Sequence, residues 1–86
     1  MKKIKDQEIK KFVIDYIEKK GKLPKNTDIE NLNYIDSGYI DSIGIIKFIV
    51  EIEQRFNVQI SDEDMMSEKF KTIKGLISII KNKLII

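Results

Sequence analysis

The stretch Asp41-Ser42-Ile43-Gly44-Ile45-Ile46-Lys47-Phe48-Ile49-Val50-Glu51-Ile52-Glu53-Gln54-Arg55-Phe56-Asn57 decides the fold class. Ile45, Ile49, Ile52 and Phe56 recur at helical spacing, and Ile46 and Phe48 widen that apolar stripe. Asp and Ser are favoured where a helix begins, because their side chains accept the unpaired N–H groups of its first turn. The helix is therefore predicted to start at Asp41 or Ser42 and to end near Arg55 or Phe56, with Asn57 as its breaker.

Upstream, Ile9, Phe12, Val13, Tyr16 and Ile17 follow the same periodicity. They predict a helix from about Ile4 to Lys20, stopped by Gly21 and kept from resuming by Pro24. Residues 21–41 form a long connection in which Leu23, Ile29, Leu32, Tyr34 and Ile35 are expected to touch the core. Asp36-Ser37-Gly38 reads as a turn inside it. Downstream, Val58, Ile60 and Ser61 read as extended, and Asp62-Glu63-Asp64 as an acidic turn. Ser67 to Lys71 suits a short helical turn. Thr72 fits as the cap of a last helix through Ile73, Leu76, Ile77 and Ile80, whose basic end, Lys81 and Lys83, suits the helix dipole. Met65 and Met66 are expected to fill core space. The fold class is all-α: a four-helix bundle of three longer helices and one short helix with a long first loop, residues 1–86 forming one domain.

Composition narrows the function. A chain of 86 residues without cysteine has no disulfide or thiolate metal site to staple its small core. The lack of histidine removes the commonest general base and metal ligand. With no glycine-rich phosphate loop either, an enzyme is not expected. The basic start lacks the apolar core of a signal peptide, and no apolar run is long enough to span a bilayer. A cytoplasmic location and no membrane insertion are the expectation.

The net charge of +2 hides a segregated pattern. Residues 1–25 hold nine Lys and four acids, and residues 69–86 hold five Lys and no acid. Residues 41–68 hold seven acids against Lys47 and Arg55. Lys2, Lys3, Lys5, Lys10 and Lys11 favour a nucleic-acid binder, but the acidic middle and the lack of interleaved aromatics disfavour one, so no nucleic-acid partner is expected.

The chemistry lies in Gly38-Tyr39-Ile40-Asp41-Ser42-Ile43 together with Glu53-Gln54-Arg55-Phe56 and Val58-Gln59-Ile60. In this order and spacing these segments resemble the acyl carrier protein family. There an Asp-Ser pair and an apolar residue open the second helix, an acid, two spacers and Phe close it, and an extended apolar pair follows. Asp62-Glu63-Asp64 and Phe70-Lys71-Thr72-Ile73 fall where the family has an acidic turn and the start of its last helix. The specific part covers roughly Leu32 to Ile80; the first helix is compatible but generic.

The resemblance implies an acyl-carrier-like bundle with a phosphopantetheine arm joined to the Ser42 hydroxyl, Asp41 flanking it. The arm's thiol would hold an acyl or aminoacyl group as a thioester, so that a chain without Cys still carries thioesters. The implied partners are a phosphopantetheinyl transferase, an acyl or aminoacyl ligase, and a downstream acyltransferase or synthase, all acting on a monomer. The resemblance also makes the second helix a docking face, on which Ile43, Lys47, Val50, Glu51, Asp62 and Glu63 are the candidates. Glu51, Glu53 and Asp62 to Asp64 would meet a basic partner patch, although Lys47 interrupts the acidic face. Ile46 and Ile49 are assigned to the core.

Each assignment has a plainer counterpart. Asp41-Ser42 could simply cap a helix, and the acids could be a solvated face. Ser37 also follows an Asp, but Gly38 beside it places it in the preceding turn. Gly44 either permits a close approach or is tolerated at a cost of about 1 kcal/mol relative to Ala. Carriers of fatty acid synthesis usually place Gly two residues before the Asp-Ser pair, whereas Gly38 stands three before Asp41. In this the chain is similar to discrete carriers of amino acids or specialised acyl groups, including D-alanyl carriers. The alternative is an interaction module of the same fold without the arm.

Overall fold

The computed structural model describes residues 6–23 and 28–84. Among these residues four α-helices run in the order α1 (Asp6–Glu18), α2 (Ser42–Phe56), α3 (Asp62–Met66) and α4 (Ile73–Leu84). Two 3₁₀ turns, Ile29–Asn31 and Glu68–Lys71, precede α2 and α4 respectively. Among the described residues the only extended pairing is a single antiparallel bridge between Asn33 and Thr72. The all-α bundle of three longer helices and one short one is thus the observed fold.

The first helix ends at Glu18, two residues short of the predicted end, and its predicted start at Ile4 and the role of Pro24 lie outside the described residues. Its apolar stripe is buried as Ile9, Val13 and Ile17, with Phe12 and Tyr16 half-buried at its edge. These rings reach α2: Tyr16 stacks on Phe48 at 4.3 Å, and Phe12 meets Phe56 edge-on at 5.3 Å. Such pairs add to the burial of their area. Burial and the nearby Glu51 carboxylate both push the Tyr16 phenol above its ordinary value.

The long connection is held by Tyr34, which is fully buried. Its hydroxyl donates to the Phe70 carbonyl, its backbone N–H to the Lys71 carbonyl at 3.2 Å, and its ring packs edge-on to Phe48 and Phe70. Burial drives its phenol well above the ordinary range, so it stays a neutral donor. Leu32 O accepts from Ile73 N at 3.2 Å, which completes the link between this loop and the start of α4.

The turn before α2 is organised by Asn33, whose role the sequence reading missed. Its side-chain oxygen accepts from the N–H groups of Ile35 and Asp36, at 3.1 and 2.8 Å. Gly38 closes the turn at φ 83°, where a Cβ would be strained.

Several expectations need correcting. Ile46 is not in the core: it is 65% exposed, because the buried arc of α2 is Phe48, Ile49, Ile52 and Phe56, with Ile45 at its margin. Apolar residues lie all round the first half of α2, so periodicity alone overestimated the inward face. Met66 is 83% exposed, and only Met65 packs against the core. The acidic turn Asp62-Glu63-Asp64 is the first turn of α3, nucleated by a reciprocal capping box between Ser61 and Asp64. Thr72 caps α4 as expected, its hydroxyl accepting from Gly75 N at 3.0 Å.

Four of the lysines of the chain ends have carboxylate partners. Lys10 pairs with Glu30, Lys11 with Asp15, Lys81 with Asp6 and Lys83 with Asp64. These cations face protein carboxylates, which weakens the field a nucleic-acid backbone would need.

Candidate functional site at the start of the second helix

Ile40 anchors the site, being buried immediately before α2. Its N–H and that of Tyr39 both donate to the Tyr34 carbonyl, so the buried tyrosine fixes where the chain emerges. Asp41 follows in extended conformation at φ −90° and ψ −178°. Its Oδ1 accepts from Gly44 N at 2.7 Å, and its carbonyl accepts from Ile45 N at 2.9 Å. Asp41 is therefore the N-cap, and Ser42 is the first helical residue.

This division of labour separates the two residues that the sequence alone could only bracket together. Asp41 does the capping, which leaves the exposed Ser42 side chain outside that bond. Gly44 has a local reason as well. A Cβ there would lie 3.1 Å from Asp41 Oδ1 and 3.2 Å from Ile40 Cγ2, so the glycine lets the cap close tightly.

Ser42 opens a helix of 15 residues. The aligned peptide dipoles and the open N–H groups of the first turn favour an anion at this end. A phosphate ester on the Ser42 oxygen fits those donors and the open surface around them. The alternative hydroxyl, Ser37, sits in the Asn33-organised turn, its N–H donating to the Asn33 carbonyl at 3.0 Å. No helix starts there.

Of the predicted docking residues, Ile43, Lys47, Val50 and Glu51 are exposed on α2, and Asp62 and Glu63 on the first turn of α3. The structure separates these from two other acids. Glu53 turns back, its Oε2 accepting from Ile60 N at 2.9 Å, and so ties the segment after α2 to that helix. Asp64 accepts from Ser61 N at 2.9 Å and pairs with Lys83 at 2.7 Å. The hydrogen bond from Lys83 is the main reason its carboxyl lies below the ordinary range; burial opposes the shift and the Ser61 bonds assist it. Both acids hold the fold together. The acidic residue three before Phe56 thus has an internal task that sequence spacing alone did not reveal.

The arrangement is a small helical scaffold with an exposed serine, Ser42, as the first residue of its 15-residue second helix. The family described as "phosphopantetheine attachment site" matches residues 13–80. The chain is 31% identical to an acyl carrier protein of Lactobacillus acidophilus, over 90% of this chain and 94% of the relative. It is 32% identical to the acyl carrier protein of Zymomonas mobilis, over 86% and 87%. It is 31% identical to an acyl carrier protein homolog of Mycoplasmopsis pulmonis, over 87% and 94%. The chain belongs to the acyl carrier protein family. It is a non-catalytic carrier with a covalently attached phosphopantetheine group.

Proposed function

We propose that Ser42 bears the phosphopantetheine and that the chain, as one carrier domain, presents an acyl or aminoacyl group to the enzymes that load and unload it. The observation that carries this reading is the position of Ser42: exposed, first in a 15-residue helix, with the capping duty already met by Asp41. When bound, the group supplies a terminal thiol for thioester chemistry that no residue of this cysteine-free chain offers.

The chain's own residues do the rest. Ile40 and Tyr34 fix the outlet of the loop, so the serine keeps its position while the arm moves. The open N–H groups at the start of α2 lower the energy of the phosphodiester anion. Asp41 locks the first turn and stands beside the hydroxyl that a phosphopantetheinyl transferase must approach.

Intact mass after incubation with coenzyme A and a broad-specificity phosphopantetheinyl transferase tests the reading. One phosphopantetheine increment is expected, mapped to the peptide that contains Ser42 and lost in Ser42→Ala while the helical circular dichroism persists. An increment retained in Ser42→Ala would move the attachment elsewhere. No increment, under conditions that modify a control carrier, would favour an interaction module of the same fold.

A further inference from the structure

The interior next to Ser42 is closed by aromatic rings. Ile40, two residues before the serine, is buried, and so is Phe48, less than two helical turns after it. Tyr16 stacks on Phe48 at 4.3 Å, Tyr34 meets Phe48 edge-on at 6.0 Å, and Phe70 meets Tyr34 at 6.3 Å. These four side chains form one row from α1 through α2 and the long connection to the 3₁₀ turn Glu68–Lys71. Two polar ties fix the row from within: the Tyr34 hydroxyl donates to Phe70 O, and Tyr34 N donates to Lys71 O at 3.2 Å. Tyr34 also holds the outlet of the loop, since its carbonyl accepts from Tyr39 N and Ile40 N. An alkyl chain that enters the bundle from Ser42 must therefore part this row and disturb the residue that places the serine. A cleft of about 330 Å³ is lined by Asp64, Ser67, Lys69, Asn82 and Lys83, with Ile79 its one aliphatic residue, so it gives such a chain little cover either.

We infer that the cargo carried at Ser42 is short and polar, an amino acid or a small acid of up to about four carbons, and that it stays in water at the end of the arm and not inside the bundle. The inference rests on the attachment at Ser42. Parting Phe48 from its two ring partners and leaving Phe70 O unpaired in the interior would undo about as much stability as burying roughly three to seven methylenes restores. A cargo of up to about four carbons buries fewer than that, and an amino or hydroxyl group on it would lose its water on entry. A long alkyl chain has no good place on this carrier. Kept outside, it would leave its apolar surface in water. Taken inside, it would break the ring row at each loading and let it close at each release, moving the residue that places Ser42 every time.

The test compares three loaded forms of the full chain: the bare arm, its acetyl thioester and its octanoyl thioester. Each is attached by a broad-specificity transferase from the matching form of coenzyme A and verified by intact mass. Octanoyl, with about six methylenes, at best breaks even against the ring row, so the three forms are expected to melt within about 3 °C of one another. Hydroxylamine is expected to release both acyl groups as fast as it does from the corresponding coenzyme A thioesters. An octanoyl form that melts higher than that margin, with its thioester protected from hydroxylamine, would overturn the inference, because the core would then house the chain. Octanoyl stabilisation that Ile46→Ser abolishes would overturn it as well, since the chain would then lie along the outside of α2. Intact mass of the carrier isolated from the cells that make it, with the thioester kept in acid, is expected to show the increment of an amino acid or small acid; an acyl chain of about eight carbons or more would refute the reading. Failure of the chain to take any arm overturns the assignment of Ser42, and the cargo inference with it.

Discussion

Gly75→Ala sets two effects of opposite sign against each other. Gly75 lies buried within α4, and Ala is the better helix former by about 1 kcal/mol, so local propensity predicts a gain. The tertiary contact predicts a loss. A Cβ on Gly75 would lie 1.9 Å from the Lys69 carbonyl oxygen and 2.6 Å from the Lys69 carbonyl carbon and Cα. Ordinary contacts between such atoms are about 3.5 Å, so the Glu68–Lys71 turn would have to withdraw by roughly 1 Å or more. That turn cannot withdraw freely. Phe70 O accepts from the Tyr34 hydroxyl, and Lys71 O accepts from Tyr34 N at 3.2 Å. Overpacking costs about 1–3 kcal/mol, and weakening those bonds adds about 1 kcal/mol. Taking about 3 kcal/mol for the sum, the net effect is a loss of about 2 kcal/mol, or about 8–16 °C in Tm for a domain of this size. Urea and thermal melts followed by far-ultraviolet circular dichroism would measure it. Gly44→Ala is the control: its near neighbours are side-chain atoms of Asp41 and Ile40, which must give by only a few tenths of an ångström, so the gain in helix propensity roughly offsets the loosened Asp41 cap and a change within about 0.5 kcal/mol is expected. A Gly75→Ala variant as stable as the wild type, or more so, would refute the reasoning, because propensity would then outweigh the packing of the 3₁₀ turn on α4.

The other predictions concern the caps and their charge. Asp41→Ala removes the bond to Gly44 N and is expected to destabilise by about 1 kcal/mol, whereas Ser42→Ala leaves that bond intact and should cost much less; equal losses in urea melts would contradict the assignment of Asp41 as the cap. Asp64 has its folded-state pKa below the ordinary value, so its contribution is present above the unfolded pKa and is lost as pH falls through the folded one. Asp64→Asn keeps an oxygen for Ser61 N but removes the charge that Lys83 pairs with. The stability gap between wild type and Asp64→Asn should therefore be widest near about pH 7 and close towards about pH 2–3. A gap that stays constant over that range would show that the pair with Lys83 contributes nothing.

The sequence by itself determined the three longer helices and singled out Ser42 as the candidate attachment residue. Apolar spacing in α1, α2 and α4, the breaker Asn57 at φ 55°, Gly38 at φ 83° and the Thr72 cap all depend on neighbours within a turn or two, which is the range over which sequence pattern acts. Asp41-Ser42, too, is a local signal for a helix start. Only the tertiary structure decided what depends on distant contacts. It divided the pair into a capping Asp41 and an exposed Ser42, because the loop held by Tyr34 sets where the helix can begin. It moved Ile46 and Met66 from the expected core to the surface, since four elements competing for one small interior leave room for only one arc of each helix. It turned Glu53 and Asp64 from surface charges into internal ties, because their partners, Ile60 N and Lys83, lie 7 and 19 residues further along the chain. Periodicity gives each residue a side of its own helix, but which sides meet is set by how the helices pack.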